Sequence, residues 1–253
     1  MMFDLQKAST WKRISAGLFD AIILGIVVVG LAFVFSVLFK YDSYNEALNN
    51  AYAQYEQTYG IVFDITAEQY ETMSSEAVAK YNAAYEALIA DYDAMYAYNM
   101  VINLTLVIAS LSILLGFLIL DFLVPKAFDN GQTLGKKIFG IGVMRTDGIK
   151  VNGPLMFIRT ILGKFTIETM IPVLILVMIS FNSIGIVGMI ILGLILLLQV
   201  ILLIVTHTNS MIHDVLAKTV VVDMASQMIF DSEEDLIEYK KRVHKEQAAR
   251  QTY

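Results

Sequence analysis

Four apolar runs decide what this chain can become: Ile14–Phe39, Met100–Leu120, Phe165–Phe181 and Ile184–Val205. A helix crosses the hydrocarbon of a bilayer in about 20 residues. It also satisfies its own backbone hydrogen bonds, which lipid cannot do for it. Hydrophobic residues make up 57% of the 253 and charged residues 17%, with a mean hydropathy of +0.63. A soluble domain is roughly 45–50% apolar and about 25% charged. The excess belongs in the four runs, so the chain reads as an all-α integral membrane protein with four transmembrane helices. The same figures exclude disorder. Three Pro, 15 Gly and no Cys exclude a collagen-like chain, a disulfide scaffold, thiolate metal sites and thiol catalysis. The net charge of −6 argues against a nucleic-acid partner.

The first run is no cleavable signal peptide. A signal core spans roughly 7–15 residues before a small-residue cleavage site. This run has 26 residues and ends in Val37-Leu38-Phe39-Lys40. Only Asn182 and Ser183 separate the last two runs, which therefore form a tight helical pair.

Basic residues set the orientation. Lys7, Lys12 and Arg13 precede the first run. Segment 122–164 carries seven basic residues against two acids, and six more follow residue 205. Segment 40–99 carries Lys40 and Lys80 against ten acids. Both termini and the middle segment are expected in the cytoplasm, with 40–99 outside. The basic inner face is expected to sit on anionic lipid.

Segment 40–99 holds eleven of the 13 tyrosines, several at 3/4 spacing, such as Tyr52, Tyr55 and Tyr59. The spacing predicts an extracytoplasmic helical hairpin extending spans one and two. A break is expected near 58–64, and Thr66-Ala-Glu-Gln69 reads as a capping box. The tyrosines are either packing residues with wet hydroxyls or a surface for a ligand or protein partner. In the middle segment, Ile141–Arg145, Asp147-Gly148 and Ile149–Val151 predict a small cytoplasmic β-hairpin. Thr219–Asp223 is a second β-prone run, and a small cytoplasmic sheet made from both is expected. Ser232-Glu-Glu-Asp235 opens a solvated or partner-docking C-terminal helix. The domain reading is a membrane domain over 8–223 with 40–99 inserted in it, and a cytoplasmic tail over 224–253.

Two stretches carry a resemblance: Lys12-Arg13-Ile-Ser-Ala16-Gly-Leu-Phe-Asp20, and Gly131-Gln-Thr-Leu-Gly135-Lys136-Lys-Ile-Phe-Gly140. A third segment, His213-Asp214-Val-Leu-Ala-Lys-Thr219-Val-Val, follows in order. The order resembles the RDD family of membrane proteins, with Arg13, Asp20 and Asp214 at its naming positions. Residues about 8–39 and 100–223 are covered; segment 40–99 and the tail look like private additions. The resemblance implies a polytopic membrane domain with a role in transport, cation/proton exchange among the candidates. The family also includes members that look like scaffold components.

Asp20 is the first candidate for chemistry. It lies about two turns into span one, where a carboxylate must be paired or wet. Arg13 is seven residues earlier, about 10.5 Å along the helix on the same face. Asp20 is therefore either part of a packing ion pair or an ion- or proton-binding site. Glu168 follows Lys164 by four residues, a spacing that allows a pair along the helix. Pro172 frees the carbonyl of Glu168. Asp121 stands at the end of span two, level with Arg13, and a pair between them is expected. Asp214 is expected to anchor its segment to Arg13 or to the 131–140 loop. His207 and His213 are six apart, off one helical face, so no metal site is expected. Gly131–Lys137 lacks the spacing and the Ser/Thr of a phosphate loop. It reads as a glycine turn whose Lys136 and Lys137 contact anionic headgroups.

No enzyme arrangement stands out and no cofactor is expected. The sequence supports two readings. In the first, the chain is a small cation or proton transporter, or a subunit of one, with Asp20 central. Glu168, Asp214 and Asp121 line the path, and homo-oligomers form in the cell membrane. In the second, it is a non-transporting scaffold that binds partners through 40–99 and the tail.

Overall fold

A computed structural model describes residues 5–251; the last two residues of the expected tail lie outside them. The chain is mostly helical. Helix α1 (Thr10–Leu38) ends where Lys40 takes a left-handed conformation, and α2 (Tyr41–Tyr59) follows. Gly60, at φ 65°, stops α2. Short α3 (Ala67–Glu71) begins with the expected capping box: Thr66 Oγ1 accepts from Gln69 N, and Gln69 Oε1 from Thr66 N at 2.8 Å. Then come α4 (Ser75–Ala90) and α5 (Tyr92–Phe128), which widens to a π-helix over Leu118–Leu123.

Helix α6 (Leu134–Ile138) leads into strand β1 (Ile141–Arg145). Helix α7 (Gly153–Ser180) is π-helical over Ile158–Met170, and α8 is Gly185–Val205. Short α9 (Ile212–Leu216), strand β2 (Thr219–Asp223) and α10 (Glu233–Gln251) close the chain. Helices α1, α5, α7 and α8 are long and apolar enough to cross a membrane. Helix α7 thus begins before the expected Phe165 and is about three turns longer than the apolar run it contains. Phe33, Ile186, Leu196 and Ile204 each stay at least 67% exposed, and lipid is the surface that would cover such side chains.

The chain divides into two compact units, Val29–Ser112 and the remainder. Within Val29–Ser112, Phe63 lies edge-on to both Tyr52 and Tyr81, and Tyr55 donates to Asp91 at 3.1 Å. There several tyrosines pack as aromatic pairs.

In the other unit, β1 and β2 pair antiparallel, from Ile141 opposite Asp223 to Arg145 opposite Thr219. Ile141, Val143 and Val221 pack with Ala8 and Ala16 on one face. Met144, Val220 and Val222 pack with Leu5 and Ile229 on the other. Both faces are covered, which is why the strands read as nearly continuous apolar runs. A turn at Thr146–Gly148 folds the chain back, with Arg145 N donating to Ile149 O at 2.8 Å. Ser232 Oγ accepts from Asp235 N at the start of α10. Leu236 of α10 is buried against Ile149 and Phe230, with Tyr239 packed beside them, so the first turns of this helix dock on its own chain while most of its remaining side chains are exposed.

Candidate functional site

Charged side chains that the sequence scatters over some 200 positions converge on one cavity of about 500 Å³. Four cations line it (Arg13, Lys136, Arg159, Lys164), as do four carboxylates (Asp20, Asp121, Glu168, Asp214) and His213. With His213 neutral, the lining sums to zero charge. Buried charges persist only when they are paired in this way.

Asp20 is held by the glycine-containing loop. Its Oδ2 accepts from Thr133 Oγ1 at 2.5 Å and its Oδ1 from Gly135 N at 2.7 Å. Thr133 also caps α6, so one residue both starts that helix and anchors it to α1. A Cβ at Gly135 would strike the Ala16 carbonyl and come within 2.9 Å of Asp20 Oδ1; glycine is what lets the loop approach α1. Lys136 Nζ lies 3.6 Å from Asp20 Oδ2 and 3.1 Å from Thr133 Oγ1.

This corrects the reading of Lys136 as a headgroup contact: its side chain is 10% exposed and turned into the cavity. Burial first, then Lys164 and Arg159, lower its pKa to about 8, with Asp121 and Asp20 offsetting only part of the fall. Lys137 is exposed, with its ammonium 3.7 Å from the Phe128 ring centroid.

Two other expected pairs are exchanged. Lys164 contacts Asp121 rather than Glu168. Asp121, 4% exposed, therefore faces α7 and not Arg13. Thr160 Oγ1 fixes the same level by donating to the Asp121 carbonyl at 2.9 Å. The π-helical stretch of α7 changes which side chains share a face, so four-residue spacing no longer predicts a pair there.

Glu168 binds α9 instead. It accepts from His213 N at 3.0 Å, and its Oε2 lies 2.7 Å from His213 Nδ1. Gly163 permits this approach, because a Cβ there would collide with His213. Gln199, the single strongly polar residue of α8, accepts from Ile212 N at 3.1 Å and ties the start of α9 to that helix.

Asp214 is the most enclosed carboxylate, at 1% exposure. Arg159 Nε donates to its Oδ1 at 3.0 Å, and so does Thr219 Oγ1. Arg13 lies 3.6 Å from Oδ2, in line with the expected anchoring of this segment to Arg13. Burial alone would raise the Asp214 pKa; Arg159, then His213 and Arg13, outweigh it and hold the group well below the ordinary carboxylate range. Burial lowers the His213 pKa below 6.5, with Asp214 and Glu168 opposing and Arg159 adding to the fall. His213 is thus neutral at pH 7. If Nδ1 donates to Glu168, Nε2 is left as a bare acceptor 3.5 Å from Asp214 Oδ2. That oxygen has no hydrogen-bond partner among the described residues.

Arg159, Thr133 and Thr219 were not singled out by the sequence. Arg159 looks there like one more interfacial basic residue. Its only distinguishing sign is a position inside the long helix that becomes α7.

Long apolar helices carrying a charge-balanced cavity define a polytopic membrane protein. The chain belongs to the RDD family, whose family model matches residues 7–218. No curated protein and no solved structure matches it.

Proposed function

We propose that this protein exchanges a cation for a proton across the cell membrane, with both termini in the cytoplasm, and that Asp20 and Lys136 together form the exchange site. One observation supports this most. Asp20 is compensated by a buried lysine at 3.6 Å, beyond hydrogen-bond distance, whose pKa lies near 8. Asp121, Glu168 and Asp214 are each held by a closer partner, Lys164, His213 and Arg159. When Lys136 Nζ releases its proton to water, Asp20 keeps only the Thr133 hydroxyl and the Gly135 amide. A cation can then take the place of the ammonium, and reprotonation of Lys136 expels it. The site alternates between a proton on Lys136 and a metal cation on Asp20. Four spans are few for a complete alternating-access carrier, so the working unit is a homo-oligomer.

Proteoliposomes loaded with a pH-sensitive dye test this with Na⁺ and K⁺ gradients. Wild-type exchange should rise with pH through a midpoint near 8. Asp20→Asn should abolish it, and so should Lys136→Gln, which leaves no group at the site to carry the proton. Undiminished exchange in Asp20→Asn would overturn the reading.

A scaffold role for 40–99 has its own support: a second cavity of about 210 Å³, lined by Tyr52, Tyr85 and Tyr98 among apolar side chains. Loss of function on deleting 45–95, with Asp20→Asn silent, would favour it.

A further inference from the structure

The cavity is also a groove along α1. Arg13, Gly17, Ala21 and Leu24 line it, and Thr10, Ile14 and Leu18 do so at four-residue spacing. Ile14 and Leu18 are at the same time 47% and 63% exposed. They form the rim through which the groove opens toward the surroundings of the span. Its polar end lies at the first turn of a 29-residue helix that has no acid in that turn, where the helix dipole favours an anion.

The cations there are unequally committed. Lys12 is bonded to Asp223 at 2.6 Å, and Lys7 to the His207 carbonyl at 2.7 Å. Among the described residues Arg13 makes only long contacts, 3.4 Å to the Thr208 carbonyl and 3.6 Å to Asp214. The charge of Asp214 is already met by Arg159 at 3.0 Å. A guanidinium has five N–H donors, and most of those on Arg13 are unspent beside an open groove. The matching ligand supplies several acceptors and one negative charge, with an apolar body behind it.

We propose that this groove binds a glycerophospholipid. Its phosphate lies against Arg13 and the Thr10 hydroxyl, and an acyl chain passes Gly17 and leaves over Ile14 and Leu18. Gly17 keeps the floor open, since a Cβ there would meet nothing within 4 Å. The site is at the Arg13 end, about two helical turns from Asp20, and does not rest on cation exchange.

The test is native mass spectrometry of the delipidated full chain, titrated with dioleoyl phosphatidylglycerol, dioleoylglycerol or inorganic phosphate. Wild-type should retain phosphatidylglycerol and not dioleoylglycerol, and millimolar phosphate should not displace the lipid. Gly17→Leu puts a side chain into the groove at a position whose Cβ meets nothing within 4 Å and should weaken retention at least tenfold, as should Arg13→Gln. Lys137→Gln, on the surface, and Asp20→Asn, at the other end, should bind as wild-type does. Equal retention of dioleoylglycerol, displacement by inorganic phosphate, or wild-type binding by Gly17→Leu would each overturn the proposal. Loss confined to Lys137→Gln would also overturn it, placing the lipid on the outer surface.

Discussion

Arg159 and Asp214, 55 positions apart, bond at 3.0 Å with side chains 2% and 1% exposed. The pair joins α7 to α9 and, through Arg13, to the start of α1. Removing one member leaves the other buried and uncompensated, at a cost of about 3–5 kcal/mol. Asp214→Asn should lower the unfolding midpoint in detergent accordingly. Arg159→Lys should recover little of what Arg159→Ala loses, because an ammonium cannot reproduce the guanidinium fork. Thermal unfolding of purified variants checks both.

Lys136 makes the opposite contribution. Its pKa is lower in the folded chain, about 8 against 10.5. Between these values the unfolded chain binds more protons, so stability should rise as pH goes from 8 to 10.5. At pH 7 the penalty for burying the charge is fully present. Lys136→Met should therefore flatten the alkaline rise in stability, as read from unfolding midpoints between pH 7 and 10.5. A slope equal to wild type would contradict the burial of this ammonium.

His213 gives an acid-side counterpart. Its folded pKa is below 6.5, so the unfolded chain takes up its proton first. Stability from this residue is fully present above pH 6.5 and declines as pH falls toward the folded value. His213→Gln should be less sensitive than wild type to acidification between pH 7 and 5 in the same unfolding assay.

Two of the close glycine contacts, both at the cavity, predict steric costs. Gly163→Ala drives a methyl into His213, and Gly135→Ala into the Ala16 carbonyl and Asp20. Each should destabilise by about 1–3 kcal/mol. Gly17→Ala, with open space around it, should not. Side-by-side thermal scans of the three variants separate contact from mere loss of glycine.

What the sequence determined by itself is local. The spans follow from hydropathy over about 20 residues. The Thr66 capping box follows from four consecutive residues, and the β-prone runs from their own composition. RDD membership follows from short motifs in order. The partners in the cavity are a different matter. Lys164 and Glu168 stand at a spacing that allows a helical pair, yet each is taken by a residue more than 40 positions away, Asp121 and His213. Asp20 finds Thr133 across 113 positions, and Lys136, which reads as a surface lysine, turns inward. Arg159 carries no local mark of its role. Sequence periodicity reports which face of one element a residue occupies. Which charges meet depends on how α1, α6, α7 and α9 pack and on the π-helical turn of α7. Because an unpaired buried charge is so costly, that packing alone decided the pairs.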